Sequence, residues 1–115
     1  MKVSFEGIGE RAMTFFNADT NPAEAGKTVK MSAGATVSAC ADGDKLAGLC
    51  IDADASLATV KTAGFVTASY TGADPAVGFA SLAADAAGGV KVSAGGREYL
   101  VVEVDAAAKT VGFIL

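Results

Sequence analysis

The sequence predicts an all-β protein: a small β-barrel or β-sandwich of about eight short strands with at most one short helical turn. Runs of β-branched and aromatic residues recur at intervals of roughly eight to twelve residues, with glycine and aspartate between them. No long stretch shows helical periodicity, and the alanine-rich residues 83–87 come nearest to it. With 115 residues, 51% apolar and 19% charged, the chain suits one modest core and is too apolar to be disordered.

Residues 1–12 lack clean periodicity, so they are predicted to form an N-terminal arm, and residues 13–115 are predicted to form a single barrel or sandwich domain. The chain contains 25 alanines and 14 glycines but no tryptophan. The core is therefore expected to be thin, and self-association is expected to add to its stability.

The clearest hairpin signal lies in residues 27–51. Alternation places Val29 and Met31 on one face of a strand, and after a turn it places Val37 and Ala39 on one face of the next. Each of these strands is therefore predicted to bury one face.

Residues 46–51 are apolar at nearly every position, which is typical of a strand covered on both sides. A tight turn centred on Asp42 and Gly43 is predicted to pair this strand with the one before it. Cys40 and Cys50 would then lie several rungs apart on neighbouring strands, too far for a disulfide, so both are expected to be small buried residues.

The rest of the chain supplies further strands and turns. Turn-forming residues occupy 17–22, and residues 23–25 have room for at most one helical turn. Gly64 is expected to mark a bulge or corner in a long bent strand. The strand candidates outside the hairpin are 13–16, 57–70, 79–84, 90–92, 98–104 and 110–115.

Residues 29–34 and 90–95 carry nearly the same sequence, VKMSAG and VKVSAG. Two copies with unlike flanks do not make a repeat architecture. We interpret them as two separate occurrences of the same local strand-and-turn sequence.

The formal charge of −4 and the spacing of the cations limit the partners. No basic stripe exists, which argues against direct nucleic-acid binding. Residues 1–13 lack the apolar core of a signal peptide, and no apolar run approaches membrane-spanning length, so neither membrane insertion nor export is expected. The basic residues are spread singly: Lys2, Arg11, Lys27, Lys30, Lys45, Lys61, Lys91, Arg97 and Lys109.

Two motifs resemble ligand sites only in part. Residues 7–12 match the dinucleotide fingerprint, but no helix follows to present its N-terminal amides to a pyrophosphate. The Asn17, Asp19 and Asn21 series begins like a calcium loop, yet the glycine and the glutamate that such a loop requires are replaced by proline and threonine. Neither motif is predicted to bind a ligand.

Catalysis is not predicted either. Asp42 with Asp44, and Asp52 with Asp54, flank apparent turns, where aspartate commonly caps the local backbone. The chain has no histidine, which rules out histidine-based dyads and the commonest zinc sites. No catalytic, cofactor-binding or metal-binding residue is predicted, and no cofactor is expected.

Taken in order, residues 13–115 resemble the small head-decoration, or capsid-cement, proteins of tailed bacteriophages. That group has a glycine-led strand, a second short strand, a Gly-Asp turn and a Gly-Val/Leu strand. Thr28 and Ala35 depart from the pattern. The matching positions are Met13, Thr14 and Phe15, then Gly26, Val29, Met31 and Ser32, then Val37, then Gly43 and Asp44, and finally Gly48 and Leu49.

The resemblance implies a structural virion protein on the capsid exterior, present in the host cytoplasm before assembly. Its partner would be the major capsid protein, reached in part through an N-terminal arm for which residues 1–26 are the candidate. It would be a homo-oligomer, with a trimer favoured, and an open strand edge would accept a strand from a neighbour. The alternatives are a β-rich binding module, such as a head-fibre, tail or carbohydrate-binding domain, and a small enzyme that uses carboxylates.

Overall fold

A computed structural model describes residues 9–115, and the all-β class predicted from the sequence is confirmed. Across these residues no α-helix forms, and residues 83–87 end a strand and begin a turn. There are ten strands rather than about eight, partly because Gly64 divides the predicted strand 57–70. They are β1 Arg11–Asn17, β2 Thr28–Ala33, β3 Thr36–Ala39, β4 Gly48–Ala53, β5 Leu57–Ala63, β6 Phe65–Thr71, β7 Gly78–Ala84, β8 Val90–Val92, β9 Arg97–Asp105 and β10 Thr110–Ile114.

The strands close into two barrels instead of the single one predicted. In barrel one the order is β1-β3-β2-β4-β5, and β5 pairs with β1 to complete the circle. Only the β1–β3 pair is parallel. Barrel two, β6 to β10, repeats this topology strand for strand, with β6–β8 as its parallel pair.

The register shows that the two barrels are structural repeats of each other. Asn17 pairs with Val37 in barrel one as Tyr70 pairs with Val90 in barrel two. The β-bulge between the last two strands of each barrel also falls in the same place: Ile51 is the extra residue between the paired Cys50 and Asp52, and Val102 is extra between Val101 and Glu103.

The turn after the bulged strand is also repeated. Asp54 Oδ1 accepts hydrogen bonds from the N–H groups of Ser56 and Leu57, and Asp105 Oδ1 accepts them from two residues at the same point of barrel two. The similar sequences of residues 29–34 and 90–95 do not reflect this structural repeat. They fall on β2 and β8, which are not equivalent strands, so they are not a trace of the duplication.

A single residue, Gly64, connects the barrels. Its φ of +100° favours glycine, and an added Cβ would lie 3.0 Å from Glu10. The corner predicted at Gly64 is confirmed, and it is also the boundary between the repeats.

Leu46 belongs to barrel one by its position in the chain, but its side chain packs in the core of barrel two. It lies in the β3–β4 loop of barrel one but packs in the barrel-two cluster with Tyr99 and Phe113. The Tyr99 hydroxyl donates to the Leu46 carbonyl at 3.4 Å. Barrel one is closed by its own β1–β2 loop, which places Ala23 in the smaller cluster of Val29, Val37, Cys50, Ala58 and Val60.

The β3–β4 loop does not pair its two strands as predicted. The turn at Asp42 and Gly43 forms, with the Asp44 N–H donating to the Ala41 carbonyl at 3.1 Å, but β4 pairs with β2 and β5, and β3 pairs with β2 and β1. The prediction that residues 46–51 are covered on both sides holds for part of the segment, since Ile51 is exposed. Strand β1 begins at Arg11, inside the predicted arm of residues 1–12, of which 1–8 lie outside the described residues.

Candidate interaction surface

The outer face of barrel two carries four apolar residues in direct cross-strand register. Phe79 on β7 pairs with Leu100 on β9, Leu100 pairs with Ile114 on β10, and Ile114 pairs with Phe65 on β6. Phe79 is 73% exposed, and Leu100 and Ile114 are each 37% exposed. We call these four residues the apolar row.

Neighbouring residues extend and shape the apolar row. Val77, just before β7, is 69% exposed. At Gly112 a Cβ would lie 2.7 Å from the Phe65 ring, so this glycine makes room for the ring on the outer face. With Val77 the row exposes roughly 400 Å² of apolar surface, comparable to the largest patch on a typical monomer, which is often functional.

The loop that leads to Phe79 is tied to the barrel. The Tyr70 hydroxyl donates to Asp74 Oδ1 at 2.6 Å, and Lys109 Nζ lies 3.4 Å from the same oxygen. Donating this bond, together with burial of the phenol, raises the pKa of Tyr70 to about 12. The bonds from Tyr70 and Lys109 lower the pKa of Asp74. These contacts hold the approach to Phe79 in place, which reduces the entropy lost on binding.

Barrel one has an exposed apolar pair of its own. Phe16 on β1 pairs with Leu57 on β5, and they are 61% and 44% exposed. The Phe16 N–H donates to the carbonyl of Ala35 at 2.8 Å, in the β2–β3 turn. Ala35 has a φ of +54° and is exposed. We call Phe16, Leu57 and the Ala35 turn the turn face.

The residues of the two ligand-like motifs take structural positions. Gly7 and Ile8 of the fingerprint lie outside the described residues, and its last two residues open strand β1 where a nucleotide site would need a helix. In the calcium-like series the Asn17 side chain is buried. Its Oδ1 accepts from the Ala23 N–H at 2.8 Å, and its Nδ2 donates to the Asp54 carbonyl at 2.9 Å. Asn17 therefore ties two loops to barrel one.

Asp42, Asp44 and Asp54 hold loops, as predicted for turn residues, whereas Asp52 lies within strand β4. Asp44 Oδ2 accepts from the Ala41 N–H at 2.8 Å and from Lys30 Nζ at 2.7 Å, and these bonds lower its pKa. Asp42 forms a 2.9 Å ion pair with Lys91 of barrel two. The two carboxylates of the 42/44 pair are thus engaged by different lysines.

Cys40 and Cys50 are free thiols, the first half-buried and the second buried. Burial raises the pKa of both, so neither resembles an activated nucleophile. Within residues 9–115, no three acidic, cysteine or histidine side chains come together as a metal-binding group.

A polar groove of about 610 Å³ lies beside the β1–β2 loop. It is lined by hydroxyl, amide and backbone groups and by Lys30, which is paired with Asp44. No aromatic ring lines it. The lining residues are Thr20, Asn21, Pro22, Glu24, Lys30, Ser32, Ser38, Ala39, Cys40 and Ala41.

The sequence placed most members of the apolar row on strands but did not identify them as a surface. The sequence of strand β9 did indicate an apolar residue on the outer face, because Leu100 and Tyr99 point to opposite faces and both are apolar. Nothing in the sequence placed Phe79 and Ile114 beside Leu100, since that depends on the order of strands around the barrel.

Comparison with models of known protein families finds no match to this chain, and comparison with curated proteins finds no match either. Over the residues described, the structure contains no helix with the length and apolar character needed to cross a membrane.

Proposed function

We propose that this chain is a structural virion protein that binds the outer surface of a phage capsid and stabilises the head. The apolar row carries the proposal, because a rigid barrel that displays Phe79 at 73% exposure is suited to docking against another protein. The resemblance of residues 13–115 to the head-decoration group supplies the identity of the partner, the major capsid protein.

The closed barrels change how such a partner would be bound. An open strand edge was expected from the sequence, but β5 pairs with β1 and β10 pairs with β6, so both described sheets lack free edges. Recognition through the described barrels is therefore proposed to use side chains on their outer faces.

The test mixes the purified chain with shells of the cognate capsid and measures cosedimentation and the temperature at which filled heads release DNA. We expect the chain to sediment with shells and to raise the release temperature. A version starting at residue 9, which leaves β1 whole, measures what the arm contributes. Absence of the full chain from pelleted shells at saturating concentration would overturn the proposal.

The polar groove supports a second candidate, a binding module for a small polar ligand such as a sugar. Its hydroxyl groups and Lys30 offer hydrogen bonds, but glycan sites usually also provide an aromatic platform. A glycan array probed with the labelled chain tests this candidate, with Ser32→Ala as the groove variant. Glycan signal lost in that variant would favour the binding module over the virion protein.

A further inference from the structure

The repeat gives the apolar row a counterpart in barrel one. In barrel two the row runs Phe79, Leu100, Ile114, Phe65 across β7, β9, β10 and β6. The same positions on β2, β4, β5 and β1 are occupied by Thr28, Leu49, Lys61 and Ala12. The equivalent rows thus differ in chemistry: the row of barrel one has two polar and two apolar residues, and the row of barrel two is wholly apolar.

In barrel one this row forms the contact with barrel two. The Thr28 N–H donates to the Gly88 carbonyl at 3.0 Å, and its Oγ1 donates to the Gly89 carbonyl at 3.4 Å. Leu49 packs against the barrel-two core. Lys61 Nζ donates to the Phe65 carbonyl at 2.6 Å. Three of the four residues of the barrel-one row therefore contact barrel two, while Ala12 is exposed.

The surface that receives Thr28 also has a counterpart. Gly88 and Gly89 form the β7–β8 turn just before Val90, and Ala35 and Thr36 occupy the same points before Val37. Both turns contain a residue of positive φ, Gly88 at +88° and Ala35 at +54°. The Ala35 turn, whose carbonyl accepts the Phe16 N–H of its own barrel, is exposed.

We infer that the apolar row of one copy of this chain docks on the turn face of a second copy, repeating between chains the contact that joins the barrels within a chain. The two most exposed aromatic side chains of the described residues, Phe79 and Phe16, then meet. Each chain has one row and one turn face, so the contact is head-to-tail and builds rings or chains of copies.

The difference in chemistry between the rows fits this assignment. Within the chain, Gly64 links the barrels directly, so the effective concentration of one barrel near the other is high. A row with only two apolar residues is then sufficient to hold the barrels together. Between chains no such link exists, and association must instead be driven by apolar burial centred on a few large side chains. A contact of about 800 Å² per partner is the usual size, and the row provides roughly half of it as an apolar centre.

The inference narrows the proposed function, because it assigns the apolar row to a neighbouring copy of the chain and leaves capsid binding to the remaining outer faces of the assembled copies. It is tested without capsids so that the two can fail separately. Three variants are needed: Phe79→Asp in the row, Phe16→Asp in the turn face, and Val92→Asp as an exposed control on neither surface. Circular dichroism checks that each is folded. Analytical ultracentrifugation then measures mass against concentration, with 11.3 kDa for one copy.

We expect the wild-type chain and Val92→Asp to associate, and each of the other two variants to bind itself about 30-fold or more weakly. Mixing Phe79→Asp with Phe16→Asp should restore one intact contact per pair and give a dimer that does not grow. A row that instead paired with a second row would leave Phe16→Asp self-associating as a dimer and would overturn the head-to-tail contact. A wild-type chain that stays monomeric over the whole concentration range would overturn the inference.

Discussion

Two buried polar side chains show how single residues organise the loops of this protein. Asn17 joins the β1–β2 loop to the Asp54 turn, as described above. Asp85 is buried in barrel two, where its Oδ1 accepts from the N–H groups of Ala87 and Gly89, each at 2.8 Å. Sequence patterns placed both residues in turns, but which backbone groups they satisfy depends on contacts that only the fold creates.

Replacing Asn17 with alanine is expected to lower the free energy of unfolding by about 2–3 kcal/mol, because the buried Ala23 N–H and Asp54 carbonyl lose their partner. Urea unfolding followed by circular dichroism measures the change. Thr14→Ala on the exposed face of the same strand is the control, with an expected change of about 0.5 kcal/mol or less. Equal effects of the two substitutions would contradict the structural role of Asn17.

Tyr70 makes a prediction about pH. Its pKa rises from about 10 to about 12 on folding, mainly because its hydroxyl donates to Asp74. The neutral phenol is therefore favoured in the folded state. The stability it contributes is complete below about pH 10 and is lost as the pH rises through about 12.

The measurement is the ultraviolet absorbance of tyrosinate in a Tyr99→Phe background, where Tyr70 is the remaining tyrosine. While circular dichroism still reports a folded chain, tyrosinate should form at higher pH than in free tyrosine. Adding Asp74→Asn should move the titration back towards the ordinary range. A folded chain whose Tyr70 titrates near 10 would refute this account of the loop.

The positions of the strands were predictable from the sequence, but which strands pair with each other was not. Alternation and turn residues located β2, β3 and β8, because those signals lie within a few residues of one another. The turn expected at Asp42 and Gly43 forms, but the strand pairing expected from it was wrong, since residues 40–47 cross to barrel two and bond to it there. The Gly43 N–H donates to the Ala84 carbonyl, and the Ala84 N–H donates to the Asp44 carbonyl, both at 2.8 Å.

The β3–β4 loop should therefore support barrel two more than its own barrel. Leu46→Ala is expected to lower the free energy of unfolding by about 2–4 kcal/mol, because it leaves a cavity beside Tyr99 and Phe113. Ile51→Ala, which truncates an exposed residue of the adjoining strand, should cost about 1 kcal/mol or less.

Hydrogen exchange gives the location of the Leu46→Ala effect. Amide protection should fall first in β7 and β9, the strands that carry Leu82 and Tyr99 of the Leu46 cluster. Loss of protection confined to β2 and β3 would show that Leu46 stabilises barrel one instead.

At the scale of the molecule, the duplication was hidden because equivalent core positions carry different residues. Gly48 in barrel one corresponds to Tyr99 in barrel two, and Val60 corresponds to Phe113. At Gly48 a Cβ would collide with the Lys61 carbonyl, whereas in barrel two the Tyr99 and Phe113 rings pack 5.2 Å apart. The strand order and the bulge in the fourth strand of each barrel are preserved, while the side-chain volume at equivalent core positions is redistributed.

Because Leu46 crosses from one barrel into the other, the two repeats should not unfold independently. We expect one cooperative thermal transition for the full chain, with calorimetric and van't Hoff enthalpies in agreement. A fragment of residues 64–115 keeps every strand of barrel two but lacks Leu46 and the backbone bonds of residues 43 and 44. It should therefore lack the dispersed amide spectrum of a folded barrel. A fragment that folds with the full chain's stability, or two separate transitions in the full chain, would show that the barrels are independent units.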